Sequence, residues 1–234
     1  MSRRSSRSSR SSRSRALVSR RRRWLALVAG LALVAGGWWV LDPGLGPNPD
    51  AVLAQAREHL GRSETRQAIV LLRSALQARP RDGAARELLG QAYLRAGDAA
   101  GALKELRRAV ALGRDSVDNV LAIAKAHLLR GEFAEAGGRL AAVRDDRNPA
   151  WCLLSADVMA ARGNFAESLP MYEQALKLAP AALDAYLGLA RANMGRGNLD
   201  AAEAALTRAN RQHIRGLELW LLQGQLGLAQ RRFE

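Results

Sequence analysis

The chain has few of the side chains from which most catalytic and metal sites are built. Its 234 residues include one cysteine and three histidines, and aromatic residues make up only 5%. The single cysteine, Cys152, excludes an intrachain disulfide framework. The histidines, His59, His127 and His213, are 68 and 86 residues apart, and no HExxH or CxxC pattern occurs. No GxSxG, Walker or EF-hand pattern occurs either, so the sequence predicts no catalytic residue, metal site or cofactor.

Acidic side chains are absent from the first 23 residues, which contain ten arginines. Subtracting these ten from the formal net charge of +14 leaves +4 for the remaining 211 residues, so the body of the protein is nearly neutral. After Met1, residues 1–15 contain only arginine and serine, and a segment with no apolar side chain to bury is expected to be disordered. We predict a disordered basic tail over residues 1–23 that sets membrane orientation and contacts anionic lipid. Nucleic-acid binding by this tail is the alternative, and it would depend steeply on salt.

Charged residues are also absent from residues 24–41, an apolar run of 18 residues. As a helix this run would be about 27 Å long, close to the roughly 30 Å thickness of a bilayer's hydrocarbon core. Trp24 begins the run and Trp38 and Trp39 lie near its end, where indole rings favour the membrane interface. The pattern predicts one transmembrane helix acting as a signal anchor, followed by a Pro/Gly linker over residues 42–48.

All ten arginines of the tail lie on the N-terminal side of the apolar run, which predicts a cytoplasmic N-terminus and an exported C-terminal region. The chain is therefore expected to be a single-pass protein of the inner (cytoplasmic) membrane, with residues 49–234 in the periplasm. Three other interpretations stay open: a cleavable signal peptide, a twin-arginine export signal and a buried globular helix. A lipoprotein is excluded because no cysteine directly follows the end of the run.

From Asp50 onward the sequence repeats itself at intervals of 32 to 34 residues. Each unit begins its pattern with a small residue: Ala56, Gly90, Ala124, Ala156, Ala190 or Gly224. Seven residues later comes a turn residue: Ser63, Gly97, Gly131, Gly163 or Gly197. Alanine or serine follows twelve residues after the small residue: Ala68, Ala102, Ala136, Ser168 or Ala202. A large side chain follows sixteen residues after it: Leu72, Leu106, Leu140, Tyr172 or Leu206.

This pattern predicts two amphipathic helices of about a dozen residues in each unit. Glycine suits the turn between them because it enters left-handed backbone conformations without a Cβ clash. Small residues suit the points where two helices cross closely, and the larger apolar residues fill the space between units. One unit cannot bury its apolar face alone, so the units must stack into an all-α solenoid.

The repeat resembles the tetratricopeptide repeat (TPR) family, whose helix pairs stack into a right-handed superhelix. The second unit matches the family's signature best, at Leu89, Gly90, Tyr93, Gly97, Ala102, Leu106 and Ala109. The resemblance covers residues 49–234 as five units, 49–82, 83–116, 117–148, 149–182 and 183–216, with a partial sixth over 217–234. The amino-acid sequence of the repeats is also similar to that of the TPR proteins of exosortase-linked (PEP-CTERM) exopolysaccharide systems.

Some positions depart from the family pattern. Where the family usually has tyrosine, this chain has His59, His127, Met159 and Asn193. We expect both histidines to pack between helices rather than bind a metal, and Cys152 to be a packing residue. The third unit is two residues short, and the sixth stops where its second helix should begin. We expect the sixth unit to expose an apolar face, through truncation of the chain or for a partner.

The resemblance implies a binding groove along the first helices of the units. One row at this face is mainly leucine, and the row one helical turn further is mainly basic, beside an acidic edge that includes Asp184. The predicted groove residues are Leu53, Arg57, Glu87, Gln91, Leu121, Lys125, Leu153, Asp157, Leu187 and Arg191. Such a surface suits an amphipathic helix or an apolar peptide, with the cations holding acidic groups. The alternative for each polar residue is the solvated face of an amphipathic helix.

These observations predict a membrane-anchored scaffold that binds proteins in the cell envelope and does not catalyse a reaction. The alternative is that the array is the N-terminal portion of a longer enzyme of the sulfotransferase or glycosyltransferase type. A catalytic domain encoded downstream of residue 234 would distinguish the two.

Overall fold

Eleven helices make up residues 48–230, the part of the chain that the computed structural model describes. The first helices of the units are α1 (Pro49–Gly61), α3 (Gly83–Arg95), α5 (Val117–Leu129), α7 (Pro149–Ala161), α9 (Leu183–Gly195) and α11 (Leu217–Ala229). The second helices are α2 (Thr65–Ala78), α4 (Ala99–Ala111), α6 (Phe133–Ala142), α8 (Phe165–Leu178) and α10 (Leu199–Arg211). Within this part of the chain there is no β-strand, so the prediction of an all-α fold of paired helices is confirmed.

Three predictions lie wholly or almost wholly outside the described residues: the basic tail over 1–23, the transmembrane helix over 24–41 and the linker over 42–48, of which only residue 48 is described. Among residues 48–230, no helix combines the length and the apolar character needed to cross a bilayer.

From α2 to α11 each helix contacts the next in sequence and, in addition, the first helices from α3 onward contact one another. Helix α3 packs on α5, α5 on α7, α7 on α9 and α9 on α11. The first helices therefore form a continuous row, and the second helices pack behind it. A row of this kind gives the array a surface built from equivalent positions of successive units.

The small and large residues of the repeat are buried at helix contacts as the pattern predicts, except for Gly224 of the sixth unit, which is exposed. The small residues Ala56, Ala124, Ala156 and Ala190 are fully buried, as are the alanines and the serine twelve residues further on. The large residues Leu72, Leu106, Leu140, Tyr172 and Leu206 are at most 4% exposed. A Cβ on Gly90 would lie 2.5 Å from Cγ of Leu106, which explains why this helix crossing has glycine. The third unit is two residues short, and the difference falls in its second helix: α6 has 10 residues, whereas α4 has 13.

The turn within each unit uses a left-handed residue. Gly97, Gly131, Gly163 and Gly197 have φ between 76° and 84°, and Ser63 takes the same conformation at φ 62°. A residue with a Cβ is destabilised there by about 1–2 kcal/mol relative to glycine. The prediction of a left-handed turn is thus confirmed, with a steric cost in the first unit that the other four avoid.

We expect Ser63→Gly to raise the free energy of unfolding by about 0.5–1 kcal/mol, since the relief of strain is offset by the larger entropy of an unfolded glycine. The matched variant Gly97→Ser should lower it by a similar amount. Thermal unfolding followed by circular dichroism measures both. A Ser63→Gly protein no more stable than the parent would contradict the assignment of strain to this turn.

The histidines of the first and third units hold the turn by binding a glutamate five residues later. Nδ1 of His127 lies 2.6 Å from Oε2 of Glu132, and Nδ1 of His59 lies 2.5 Å from Oε2 of Glu64. An ionised carboxylate only accepts, so the histidine nitrogen is the donor. In the second and fifth units the residue equivalent to these glutamates caps the helix with its side chain, and Asp98 accepts from the backbone of Gly101 at 2.8 Å. In the first and third units, a hydrogen bond between histidine and glutamate therefore takes the place of the short side chain that caps the second helix in the second and fifth units.

We expect Glu132→Gln to destabilise the array at neutral pH. Hydrogen bonds from Arg130 and then His127 hold the pKa of Glu132 below its ordinary value of 4.5. Because the folded-state pKa is lowered, the stabilisation is present above pH 4.5 and is lost as the pH falls through the lowered value. Urea unfolding of both proteins across this range should show the difference shrinking in acid. A difference of constant size would mean that the charge of Glu132 is not responsible.

The last helix exposes an apolar face, as the sequence predicts for the sixth unit. Leu217, Trp220, Leu221 and Leu228 on α11 are each more than half exposed. The opposite face of the helix, with Leu219 and Leu222, is buried against the array.

Candidate functional site

A groove of about 540 Å³ crosses the row of first helices in the middle of the array. Its walls come from α3, α5, α7 and α9, and Phe165 and Tyr172 of α8 lie behind them. Apolar side chains make up much of its surface, with charged groups at defined places. A concave, mainly apolar site with a few polar groups is the usual form of a ligand site.

Six of the ten predicted groove residues line this space. They are Gln91, Leu121, Lys125, Leu153, Asp157 and Arg191. The other four, Leu53, Arg57, Glu87 and Leu187, do not line it. Their role in binding stays a prediction, and the structure places three of these four in the interior of the array.

The leucine row lies mostly within the packing between helices. Leu53 is 6% exposed and Leu187 is 3% exposed, each inside a hydrophobic cluster. Leu121 reaches the groove although it is 7% exposed, and Leu153 is half-buried. The row is buried because the first helices contact one another, so this position faces the neighbouring helix. The row one turn further, with Lys125 and Arg191, is the exposed one.

Glu87 differs from its row by being charged, and the structure shows a partner for it. Its Oε2 accepts from Nε of Arg114 at 2.8 Å and lies 2.7 Å from Nη2 of the same residue. The glutamate is buried, and the pair joins α3 to the segment before α5. Glu87 thus stabilises the second unit, by holding α3 to the segment that leads into α5, away from the groove.

Asp157 and Tyr172 form a hydrogen bond beneath the centre of the groove. The hydroxyl of Tyr172 donates to Oδ1 of Asp157 at 2.7 Å, and the tyrosine is 2% exposed. Tyrosine is longer than the leucine that other units have at this position, and the neighbouring helix makes room for it. A Cβ on Gly188 of α9 would lie 2.5 Å from Cζ of the tyrosine.

The sequence pattern did not identify this arrangement, although two signals for it are present. One is a tyrosine in a row of leucines. The other is Gly188 two residues before Ala190, where the second and fourth units have Leu88 and Leu154. The two substitutions compensate each other across neighbouring units, so each is explained only when both are considered together.

Burial raises the pKa of the Asp157 carboxyl, and the nearby Asp184 raises it further. The hydrogen bond from Tyr172 and the positive charges of Lys125 and Arg191 act in the opposite direction. Burial also raises the pKa of Tyr172, and so does the adjacent carboxylate, which keeps the hydroxyl protonated as a donor. The centre of the groove is therefore a carboxylate fixed by a tyrosine, between two cations of adjacent units.

Two profiles of the tetratricopeptide repeat match the chain, over residues 53–117 and 159–226. The chain belongs to the tetratricopeptide repeat family. No curated protein sequence matches it closely enough to count as a relative.

The TPR array is similar to several solved structures. TTC0263, a TPR protein of Thermus thermophilus, aligns with a TM-score of 0.68 and 20% identity over 77% of this chain and 100% of that chain. A tetratricopeptide repeat protein from Parabacteroides merdae aligns with a TM-score of 0.69 and 16% identity over 88% of this chain and 84% of that chain. PilW, a type IV pilus biogenesis factor, aligns with a TM-score of 0.66 and 20% identity over 77% of this chain and 85% of that chain. At such low identities the similarity establishes the fold alone.

The only cysteine of the TPR array, a residue type that can be reactive, has a role in packing. Cys152 is buried, its Sγ donates to the backbone oxygen of Asp146 at 3.4 Å, and burial raises the pKa of the thiol. A thiol held in its neutral form is a poor nucleophile. Within residues 48–230, no three histidine, cysteine or acidic side chains come together in a way that suits a metal ion.

Proposed function

We propose that this protein is a membrane-anchored scaffold that binds a segment of another protein in the groove across α3, α5, α7 and α9, and that it acts by binding rather than catalysis. TPR arrays are in general scaffolds for protein–protein interaction. The observation that carries the proposal for this chain is the groove itself, which combines half-buried apolar walls with the exposed cations Lys125 and Arg191.

The proposed location is the inner membrane, with a cytoplasmic N-terminus and the TPR array in the periplasm. It rests on the sequence: an uncharged run over residues 24–41 with every arginine of the tail on its N-terminal side. A phosphatase reporter fused after residue 60 is expected to be active, because it would be exported. If a cytoplasmic reporter fused at the same place is active and the phosphatase fusion is not, the proposed topology is wrong.

A photocrosslinker tests binding in the groove. Gln91→p-benzoylphenylalanine places the reactive group on the groove wall, and Lys177→p-benzoylphenylalanine places it on an exposed position of α8 that does not line the groove. In membranes of the cell that makes the protein, irradiation should give a discrete adduct from position 91 and none from position 177. Equal labelling from both positions, or none from position 91, would contradict the proposal.

A further inference from the structure

We infer that the groove selects a peptide segment with two acidic side chains, one on each side of an apolar stretch. This inference rests on the proposed function and specifies the chemistry of its partner. It follows from three features of the groove: two exposed cations without a hydrogen-bond or ion-pair partner among residues 48–230, a central carboxylate that a tyrosine already holds, and an apolar wall.

The two cations are Lys125 on α5 and Arg191 on α9. Within residues 48–230 neither forms a hydrogen bond or an ion pair, and both are exposed at the groove. The third cation that lines the groove, Arg95, donates to the backbone oxygen of Leu60 at 2.6 Å. Arginines elsewhere in the array are engaged as well, since Arg208 donates to Glu173 through two nitrogens at 2.6 and 3.1 Å. A carboxylate on a ligand is the group that would pair with each of the two cations at the groove.

The acids that line the groove do not pair with these cations by direct contact. Asp157 lies between them on α7, and the bond from Tyr172 occupies its Oδ1. Asp184 is in the first turn of α9, where the helix N-terminus favours a carboxylate. The second oxygen of Asp157 is left to accept an N–H group, and the backbone of a bound peptide offers such donors at every residue except proline. The centre therefore suits a peptide backbone, and the flanks suit its acidic side chains.

The apolar wall supplies the place for the middle side chain. Leu94, Leu153, Ala160 and Phe165 line the groove and are each only partly buried. A leucine or phenylalanine of the ligand would cover them and remove apolar area from water, which is the main favourable contribution to binding at such a surface.

The spacing of the helices sets the spacing of the acids. Helices packed side by side are about 8–10 Å apart, so α5 and α9, with α7 between them, are separated by roughly 20 Å. An extended peptide rises about 3.3 Å per residue, so two acidic residues about six positions apart would reach Lys125 and Arg191 together.

Binding of synthetic peptides to the full chain in detergent tests this inference. The first probe is a fluorescent peptide of about 12 residues, with glutamates about six positions apart and leucine and phenylalanine between them. The second has lysines in place of both glutamates. The test variant is Lys125→Glu with Arg191→Glu, and the control is Arg107→Glu with Lys177→Glu, which changes two exposed cations of second helices by the same charge.

The parent protein is expected to bind the acidic peptide about tenfold more tightly than the basic one, and the preference should weaken with added salt. The test variant should lose about tenfold in affinity for the acidic peptide and gain affinity for the basic one, while the control binds as the parent does. A preference of the parent for the basic peptide, or an equal loss in the control, would overturn the inference and leave groove binding intact. If neither peptide binds while position 91 still crosslinks a partner, the chemistry is wrong and the proposed function stands. If position 91 also fails to crosslink, both fail.

Discussion

Gly188→Ala is expected to lower the free energy of unfolding by about 2–3 kcal/mol, even though alanine is the better helix former by about 1 kcal/mol. The added methyl group would enter the space that the Tyr172 ring occupies. The ring has little freedom to move, because it is buried and its hydroxyl is bound to Asp157 at 2.7 Å. Relief of the clash would require either breaking that hydrogen bond or separating α8 from α9.

Gly138→Ala is the matched control for this substitution. Gly138 lies within α6, and a Cβ placed on it meets nothing within 4 Å. This variant should be more stable than the parent by about 1 kcal/mol, because only the helix propensity changes. Urea unfolding followed by circular dichroism compares the two. If both glycines respond alike to alanine, the close approach of Gly188 to Tyr172 has no energetic consequence.

The periodicity of the sequence was sufficient to predict the helix pairs, the left-handed turns and the buried small residues, because each depends on a single repeat position. Ser63 illustrates this, since it stands at the turn position of the repeat and has a positive φ like the glycines of the other units. Interactions within one unit are local and recur at the same position of every unit, so the repeated pattern predicts them.

The orientation of each row toward solvent could not be read in the same way. The repeat places Leu187 and Arg191 one helical turn apart on the same helix, and only the packing of α9 against its neighbours decides which of them faces water. The crossing of helices from different units turns the leucine row inward and leaves the next row at the groove. Compensation across units, as between Tyr172 and Gly188, is likewise invisible in an alignment that treats each position separately.

Leu187→Asp is expected to have the largest effect of any substitution at a predicted groove position, at about 4 kcal/mol or more. Leu187 is 3% exposed and lies within the main hydrophobic cluster, so the aspartate would be a buried charge in apolar surroundings. The same change at Leu221, the equivalent position of the sixth unit, should alter stability by no more than about 0.5 kcal/mol, because that side chain is 58% exposed. Thermal unfolding of the two variants measures the contrast.

The comparison of Leu187 with Leu221 also determines which variants can report on binding. If Leu187→Asp unfolds the array, a loss of partner binding in that variant says nothing about the groove, because the groove no longer exists. If instead Leu187→Asp and Leu221→Asp are equally well folded, Leu187 faces solvent and the leucine row is a surface after all. Changes at Lys125 and Arg191 avoid this ambiguity, since both side chains are exposed and their replacement removes no buried contact.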